Sequence, residues 1–88
     1  MLTLGFAYSY SDVATVGTAF QFASTYIYVQ GEGDIVYQAP DGSAQWLQGA
    51  SVGYHPIGTS LILSSGTVNG VSRTTTATGI SYCSSAKY

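Results

Sequence analysis

The stretch that decides the fold is residues 25–47, TYIYVQGEGDIVYQAPDGSAQWL. It contains three short runs, 25–29, 34–39 and 43–47, and glycine-containing or turn-forming residues separate them. Aromatic and β-branched residues favour strands because they fit the pleated, half-buried surface of a sheet. The stretch therefore predicts three consecutive strands. The first two are expected to form a hairpin with a glycine-bearing loop.

A turn between the second and third runs is predicted by Pro40 and Gly42. Proline presets φ at the second position of a turn, and glycine supplies a positive φ at low cost. Trp46 follows this turn, and the neighbouring strand contains Ile35 and Tyr37. We expect this hairpin to bury the indole ring against those two side chains.

An alternating pattern extends beyond this stretch on both sides. Residues 2–10 carry large side chains at even positions and small ones at odd positions, and residues 19–23 show the same alternation. Residues 60–64 and 77–83 predict two later strands, with glycine-containing turns before them. The sequence therefore predicts an all-β fold, a small β-sandwich or barrel-like meander. The predicted core residues are Ile35, Tyr37, Trp46, Leu61, Leu63 and Ile80.

The first 25 residues differ in character from the rest of the chain. They contain one charged residue, Asp12, and no proline, whereas glycine and proline turns punctuate the sequence from residue 26 onward. Alternating large and small side chains suit a strand laid across another surface. We predict an extended N-terminal arm, residues 1–25, and a compact β domain, residues 26–88; the alternative is that the segment supplies the first core strands. The predicted interface residues are Leu4, Phe6, Tyr8, Tyr10, Phe20, Phe22, Tyr26 and Tyr28.

Length and charge exclude several classes of partner. The chain has 88 residues, enough for one small domain, and only 7% of them are charged. Its two basic residues, Arg73 and Lys87, cannot neutralise a nucleic-acid backbone, so we expect no nucleic-acid partner. Apolar runs are too short for a membrane helix, and no basic residue precedes Arg73, so we expect no membrane partner and assembly in a cytoplasm. The net charge of −2 gives weak self-repulsion, which favours association with other copies.

Few residues are able to carry chemistry. His55 is the only histidine, and its position before Pro56 is typical of a loop histidine rather than a general base. Glu32 and Asp34 flank Gly33 and could hold a hard cation, but the further acids of a calcium-binding loop are missing. We interpret both as turn and edge-protecting charges. We therefore predict no catalytic residue, no metal site and no cofactor.

Two features leave alternatives open. Cys83, the only cysteine, is either a small hydrophobic residue of the last strand or the site of an intermolecular disulfide or reactive thiol. Trp46 with Tyr26 or Tyr28 could form a platform on which sugar rings stack, instead of contributing to core and subunit interface.

Short motifs between residues 27 and 82 resemble those of a family of small all-β virion proteins. The motifs are 27–29 (IYV), Gly31, 33–36 (GDIV), 41–42 (DG), 56–57 (PI), 65–67 (SGT) and 75–80 (TTATGI). They are similar to the strand and turn segments of tailed-phage and gene-transfer-agent head proteins that serve as spike bases or capsid decoration proteins. The family has an arginine after its proline-valine pair where this chain has Gly58 and Thr59, and residues 1–25 have no counterpart in it.

The resemblance implies a repeated, non-catalytic subunit on the capsid surface of a virion. Such a decoration, cement or head-spike base protein would bind the major capsid protein and copies of itself. The alternatives are a host-attachment or carbohydrate-binding β module and a tail or fibre component. Glycan binding requires an exposed aromatic pair with convergent polar groups, whereas a cementing subunit buries the same aromatics in interfaces.

Overall fold

The computed structural model of the chain describes residues 9–85, and the side chains of residues 12–84. Within these residues the chain forms nine strands and no helix, which confirms the predicted all-β fold. Accordingly, the described part of the chain holds no helix that is long and apolar enough to cross a membrane. The strands are β1 Ser9–Val13, β2 Tyr26–Gly31, β3 Gly33–Gln38, β4 Ala44–Ala50, β5 Gly53–His55, β6 Ile62–Leu63, β7 Ser65–Val68, β8 Val71–Thr74 and β9 Thr78–Ser85.

The strands form three antiparallel sheets that stack as layers. A four-stranded sheet has the order β1-β9-β2-β5, a three-stranded sheet has the order β4-β3-β6, and β7 and β8 form a separate hairpin. The three-stranded sheet lies in the middle. The four-stranded sheet packs on one of its faces and the β7-β8 hairpin on the other.

The main core lies between the four-stranded and three-stranded sheets. In β2, Ile27 and Val29 are fully buried while Tyr28 between them is half-buried, as expected for a strand with one face in the core. Ile35 and Ile62 meet them from the three-stranded sheet and are also fully buried. Complete burial of such a side chain stabilises the fold by about 1.5 to 3 kcal/mol, so this layer is the main source of stability.

A second packed layer lies between the three-stranded sheet and the β7-β8 hairpin. Val36 is fully buried there. The hairpin approaches closely at Gly66, where an added Cβ would lie 3.0 Å from the Ala44 Cβ and 3.3 Å from the Val36 Cγ1. The guanidinium carbon of Arg73 lies 3.7 Å from the centroid of the Trp46 ring. Because Gly66 has no side chain, the β7-β8 hairpin is able to pack closely on this face of the three-stranded sheet.

Trp46 occupies this second layer, and its predicted contact with Ile35 and Tyr37 does not form. The β3-β4 register places Trp46 opposite Val36, and Ile35 opposite Leu47. Because successive side chains of a strand point to opposite faces, Ile35 and Tyr37 face the main core and Trp46 faces the hairpin. The indole is half-buried.

The turn between β3 and β4 has the predicted geometry. Gly42 N donates to Ala39 O at 2.9 Å, Ala39 N donates to Ser43 O at 2.8 Å, and Gly42 has φ 90°. The Asp41 carboxylate accepts hydrogen bonds from the hydroxyl and the backbone N–H of Ser43, and these hold the pKa of Asp41 below its usual value. The hairpin of residues 33–50 is therefore fixed by local turn chemistry.

The sequence predicted a hairpin between residues 25–29 and 34–39. This prediction is wrong, because β2 and β3 belong to different sheets. The segment Gly31-Glu32-Gly33 carries the chain from one sheet to the other past residues 76–78. An added Cβ at Gly31 would overlap Thr78 Oγ1, and one at Gly33 would lie 2.6 Å from the backbone nitrogen of Ala77. The glycines are needed for close approach of two chain segments, and not for a two-strand turn.

Residues 9–25, the described part of the predicted arm, pack against their own chain. β1 pairs with β9 from Ser9 opposite Ser85 to Val13 opposite Ser81. Residues 14–24, here called the strap, then cross from the four-stranded sheet to β6. Their backbone makes hydrogen bonds of 2.8 Å from Ala14 N to Ile80 O and from Gly17 N, Phe20 N and Ser24 N to the carbonyls of Ile62, Ser60 and Thr59. The described part of the segment is therefore not a free extension. Its β1 is an edge strand of the four-stranded sheet, and the strap packs along the β6 edge of the three-stranded sheet.

Candidate functional site

The outer face of the four-stranded sheet is an apolar surface that no described strand covers. The register places Tyr28 of β2 beside Tyr54 of β5 on one side and beside Ser81 of β9 on the other, and Ser81 in turn lies beside Val13 of β1. These side chains point away from the core because their neighbours along each strand point into it. Together with Tyr26, they are called the tyrosine face below.

Aromatic rings meet edge to face within the tyrosine face. The Tyr28 and Tyr54 ring centroids lie 4.8 Å apart with planes inclined at 61°, and the Tyr26 and Tyr54 centroids lie 5.5 Å apart at 65°. Such geometry is favourable because the positive edge of one ring meets the negative face of another. Tyr54 is nevertheless 68% exposed and Val13 71% exposed. The face therefore presents ordered apolar and phenolic surface without a charged side chain among its five members.

The predicted interface residues fall into three groups. Leu4, Phe6 and Tyr8 lie outside the described residues, and for Tyr10 the structure describes the backbone in β1 only. Tyr26 and Tyr28 belong to the tyrosine face.

Phe20 and Phe22 are the remaining predicted interface residues, and they contact the chain's own Tyr82. The Phe20 ring stacks on the Tyr82 ring with centroids 3.9 Å apart and planes inclined by 5°, and Phe22 packs against the same ring at 4.8 Å. The backbone N–H of Gln21 donates to the Tyr82 hydroxyl at 3.1 Å. Tyr82 is 3% exposed. The two phenylalanines therefore anchor the strap to the core.

The predicted core residues divide by burial. Ile35 and Ile80 are buried in the main core at 0% and 3% exposure. Tyr37, Trp46, Leu61 and Leu63 are half-buried. Tyr37 packs against the main core, and Trp46 lies under the hairpin.

The polar candidates do not converge on a common site. His55 is the last residue of β5 and not a loop residue, and its Nε2 lies 2.7 Å from the carbonyl oxygen of Ser51, just before that strand. Asp34 accepts a hydrogen bond from Gly49 N at 2.8 Å, which ties the bulge of β4 to β3, and Glu32 is exposed at the sheet crossing. Across residues 9–85, no group of three or more histidine, cysteine or acidic side chains is placed to hold a metal ion.

A shallow groove of about 340 Å³ lies beside the β3-β4 turn, lined by uncharged residues that include Ser24, Pro40 and Thr59. Its buried hydroxyls bond to the protein itself. Ser24 Oγ lies 2.8 Å from Ile57 O and accepts from Thr59 N at 3.0 Å, and Thr59 Oγ1 donates to Gln38 O at 2.7 Å. These hydroxyls hold the strap against β3 and β6, so they serve packing rather than ligand binding.

Cys83 lies in β9 opposite Tyr26 and is 5% exposed. Burial raises the pKa of its thiol, and a hydrogen bond with Tyr26 acts in the opposite direction. An enclosed thiol with a raised pKa is a poor nucleophile at neutral pH, which favours the hydrophobic over the reactive interpretation.

Sequence reasoning missed Tyr54 and Val13 as members of the exposed face. Tyr54 lies in the three-residue strand Gly53–His55, which is too short to show alternation. Val13 follows the alternating run of residues 2–10, but only its pairing with β9 shows which face it occupies. The sequence marked the region as rich in tyrosine and left the partners of each ring undetermined.

Comparison of the chain with known protein families, curated proteins and solved structures finds no match. The resemblance to phage head proteins therefore stays a prediction.

Proposed function

We propose that this chain is a non-catalytic bacteriophage virion protein, a capsid decoration, cement or head-spike base subunit. The tyrosine face binds the capsid surface, where the partner is the major capsid protein, and neighbouring copies contact one another. The subunits assemble in the host cytoplasm and remain on the capsid surface. The observation that supports this proposal is the exposure of Tyr54 and Val13 on an ordered, uncharged sheet face.

The chemistry of the tyrosine face suits binding to another protein. Tyrosine is enriched in protein interfaces because it buries a large apolar area and keeps a hydroxyl for hydrogen bonding. The rings of Tyr26, Tyr28 and Tyr54 already contact one another, so less side-chain entropy is lost when a partner covers them. Many copies on a regular lattice add contact area, so a modest affinity per copy is sufficient for high occupancy.

The alternative of glycan binding has less support from this geometry. Sugar rings stack on flat aromatic surfaces, whereas the rings here are inclined to each other by 61° and 65°. Trp46, which the sequence offered as part of a platform, lies on a different sheet under Arg73. The head-binding experiment described next distinguishes capsid binding from glycan binding.

The test is binding of the purified chain to heads assembled from the capsid protein of the same genome, measured by co-sedimentation. Tyr54→Ser is expected to lower the bound copies at subsaturating concentration about tenfold or more, because truncation of a central aromatic contact typically costs 2 kcal/mol or above. Tyr54→Phe, which keeps the ring, is the matched control and should bind nearly as well as the parent chain.

Two outcomes would contradict the proposal. Equal binding by the parent chain and Tyr54→Ser would show that the tyrosine face is not the contact surface. Absence of the parent chain from the heads, combined with saturable binding to an oligosaccharide panel, would favour the carbohydrate-binding alternative.

A further inference from the structure

The edges of the two larger sheets differ in how they are protected against pairing with another chain. An exposed edge strand offers unpaired N–H and C=O groups and invites strand addition. The edge at β6 is covered by the strap through the bonds of Gly17 N and Phe20 N. The edge strand β5 has only three residues and is followed by Pro56, and its last carbonyl, that of His55, accepts a hydrogen bond from Ile57 N at 2.8 Å.

The edge at β1 carries a different form of protection. The Val13 N–H donates to the Asp12 carboxylate at 2.8 Å and is therefore not free to bond to a neighbouring strand. The bond places a negative charge at this edge, and a charge there disfavours addition of another strand. Three of the four edges thus have an identifiable block.

The fourth edge is the outer side of β4. Several contacts show which backbone N–H and C=O groups of β4 point toward β3 and which point to the free edge. Gln38 N donates to Leu61 O at 3.0 Å, and Val36 N donates to Thr75 Oγ1 at 2.9 Å, so these groups of β3 point away from β4. In an antiparallel pair, opposite residues either bond each other or both point outward. The partners of Gln38 and Val36 in β4 are Ala44 and Trp46, whose N–H and C=O groups therefore point to the free edge.

Between Ala44 and Leu47 no described residue blocks this edge, and the bulge of β4 lies beyond them at Gly49. Residues 44–50, AQWLQGA, contain no proline and no charged side chain, and β4 is seven residues long. No hydrogen bond from the described residues reaches the outward groups of Ala44 and Trp46. The Trp46 side chain is held on the hairpin side of the sheet by Arg73, so it is directed along the face instead of across the edge.

We propose that two copies of this chain pair through β4, antiparallel about a twofold axis at Trp46. The pairing joins two three-stranded sheets into a continuous six-stranded sheet. Trp46 bonds to its own counterpart, and Ala44 pairs with Gln48. The N–H of Gln48 faces outward because the preceding Leu47 pairs with Ile35, and the bulge of β4 follows at Gly49. The segment is suited to self-pairing because the small Ala44 meets the long Gln48 and residues 44–50 themselves carry no charge.

This inference concerns the contact between copies and does not depend on the proposed virion role. The test is amide hydrogen exchange of the full chain, measured by NMR over a range of concentration. The amides of Ala44, Trp46 and Gln48 are expected to exchange about tenfold more slowly when nine in ten chains are paired, because exchange then proceeds from the remaining free chains. The N–H groups of Gln45 and Leu47 bond within the hairpin and are protected in the single chain, whereas those of Ala44, Trp46 and Gln48 are open to solvent there.

A pair of variants tests the role of the backbone N–H. Gln48→Pro removes one outward N–H from each copy and is expected to weaken dimerisation at least about tenfold in sedimentation experiments. Gln48→Ala removes the side chain, keeps the N–H, and is expected to dimerise like the parent chain. Circular dichroism identifies a variant that fails to fold, and the exchange measurement on the parent chain requires no variant.

Three results would overturn the inference: a chain that stays monomeric at millimolar concentration, a dimer in which the exchange of Ala44, Trp46 and Gln48 is unchanged, or equal dimerisation of Gln48→Pro and the parent. Tyr54→Ser distinguishes this contact from the proposed function. It is expected to leave the β4 dimer intact while lowering binding to heads about tenfold or more, so each proposal can fail without the other.

Discussion

The three-stranded sheet is covered on both faces, whereas the four-stranded sheet is covered on one. In β3 of the three-stranded sheet, consecutive residues Ile35 and Val36 are both fully buried, one under each neighbouring layer. In β2 of the four-stranded sheet, buried Ile27 and Val29 alternate with half-buried Tyr26 and Tyr28. Two-sided burial serves stability, and one-sided burial leaves a face available for contact with another molecule.

The comparison predicts that stability depends most on the main core side of the three-stranded sheet. Ile35→Ala is expected to lower the free energy of unfolding by about 3 to 4 kcal/mol, because the removed atoms are fully buried between two sheets that cannot close the gap. Urea unfolding followed by circular dichroism measures this. Ile35→Val, the control, should cost about 1 kcal/mol. A loss below about 2 kcal/mol for Ile35→Ala would show that the core repacks around the gap.

On the hairpin side of the same sheet, a smaller loss is expected from Trp46→Ala. We predict about 2 to 3 kcal/mol, below the usual cost for a buried tryptophan, because the indole is half-buried. Arg73 also loses the ring under its guanidinium group. Trp46→Phe keeps a ring at this position and should recover about half of the loss in the same urea experiment. A greater loss for Trp46→Ala than for Ile35→Ala would make the hairpin layer the more stabilising of the two.

The spacing of the hairpin layer is tested at Gly66. Gly66→Ala is expected to cost about 1 to 2 kcal/mol, because its Cβ would lie 3.0 Å from the Ala44 Cβ and 3.3 Å from the Val36 Cγ1. Ala44→Gly removes the nearest atom. The double variant should therefore be less destabilised than the sum of the two single variants by at least about 0.5 kcal/mol. Strictly additive costs would mean that the hairpin relieves the overlap by moving away.

Much of the β3-β4 hairpin could be predicted from sequence because its signals are local. Pro40 and Gly42 determine the turn within four residues, and the alternation around Ile35 predicts its burial. Register was harder to predict: the sequence placed Trp46 against Ile35 and Tyr37, although a shift of one residue is sufficient to send a side chain to the other face.

Other features depend on contacts between residues that are distant in sequence. The two glycines at positions 31 and 33 fit a hairpin loop as well as a sheet crossing, and only the approach of residues 76–78 decides between them. The aromatic partner of Phe20 is Tyr82, more than sixty residues later, so the pattern of residues 19–23 does not reveal it. For the same reason the sequence identified the tyrosines of β2 but not Tyr54, their neighbour across the sheet.

The smallest effect on stability is expected on the uncovered face of the four-stranded sheet. Tyr54→Ser should lower the free energy of unfolding by less than about 1 kcal/mol, because the side chain is 68% exposed and loses only its edge-to-face contacts with Tyr26 and Tyr28. Urea unfolding of the isolated chain, at a concentration where it is monomeric, measures this. Tyr54→Phe, which keeps both ring contacts, should match the parent.

A cost for Tyr54→Ser close to that of Trp46→Ala would contradict the comparison, because the tyrosine face would then be part of what holds the domain together. Loss of head binding by Tyr54→Ser would in that case report unfolding and could not identify a contact surface. A small loss in the free energy of unfolding, combined with loss of head binding, would separate folding from binding. The residues of the middle sheet would then determine whether the chain folds, and the exposed rings of the four-stranded sheet would determine what it binds. Such a division is expected in a small domain, since a side chain that completes the core is no longer available to a partner.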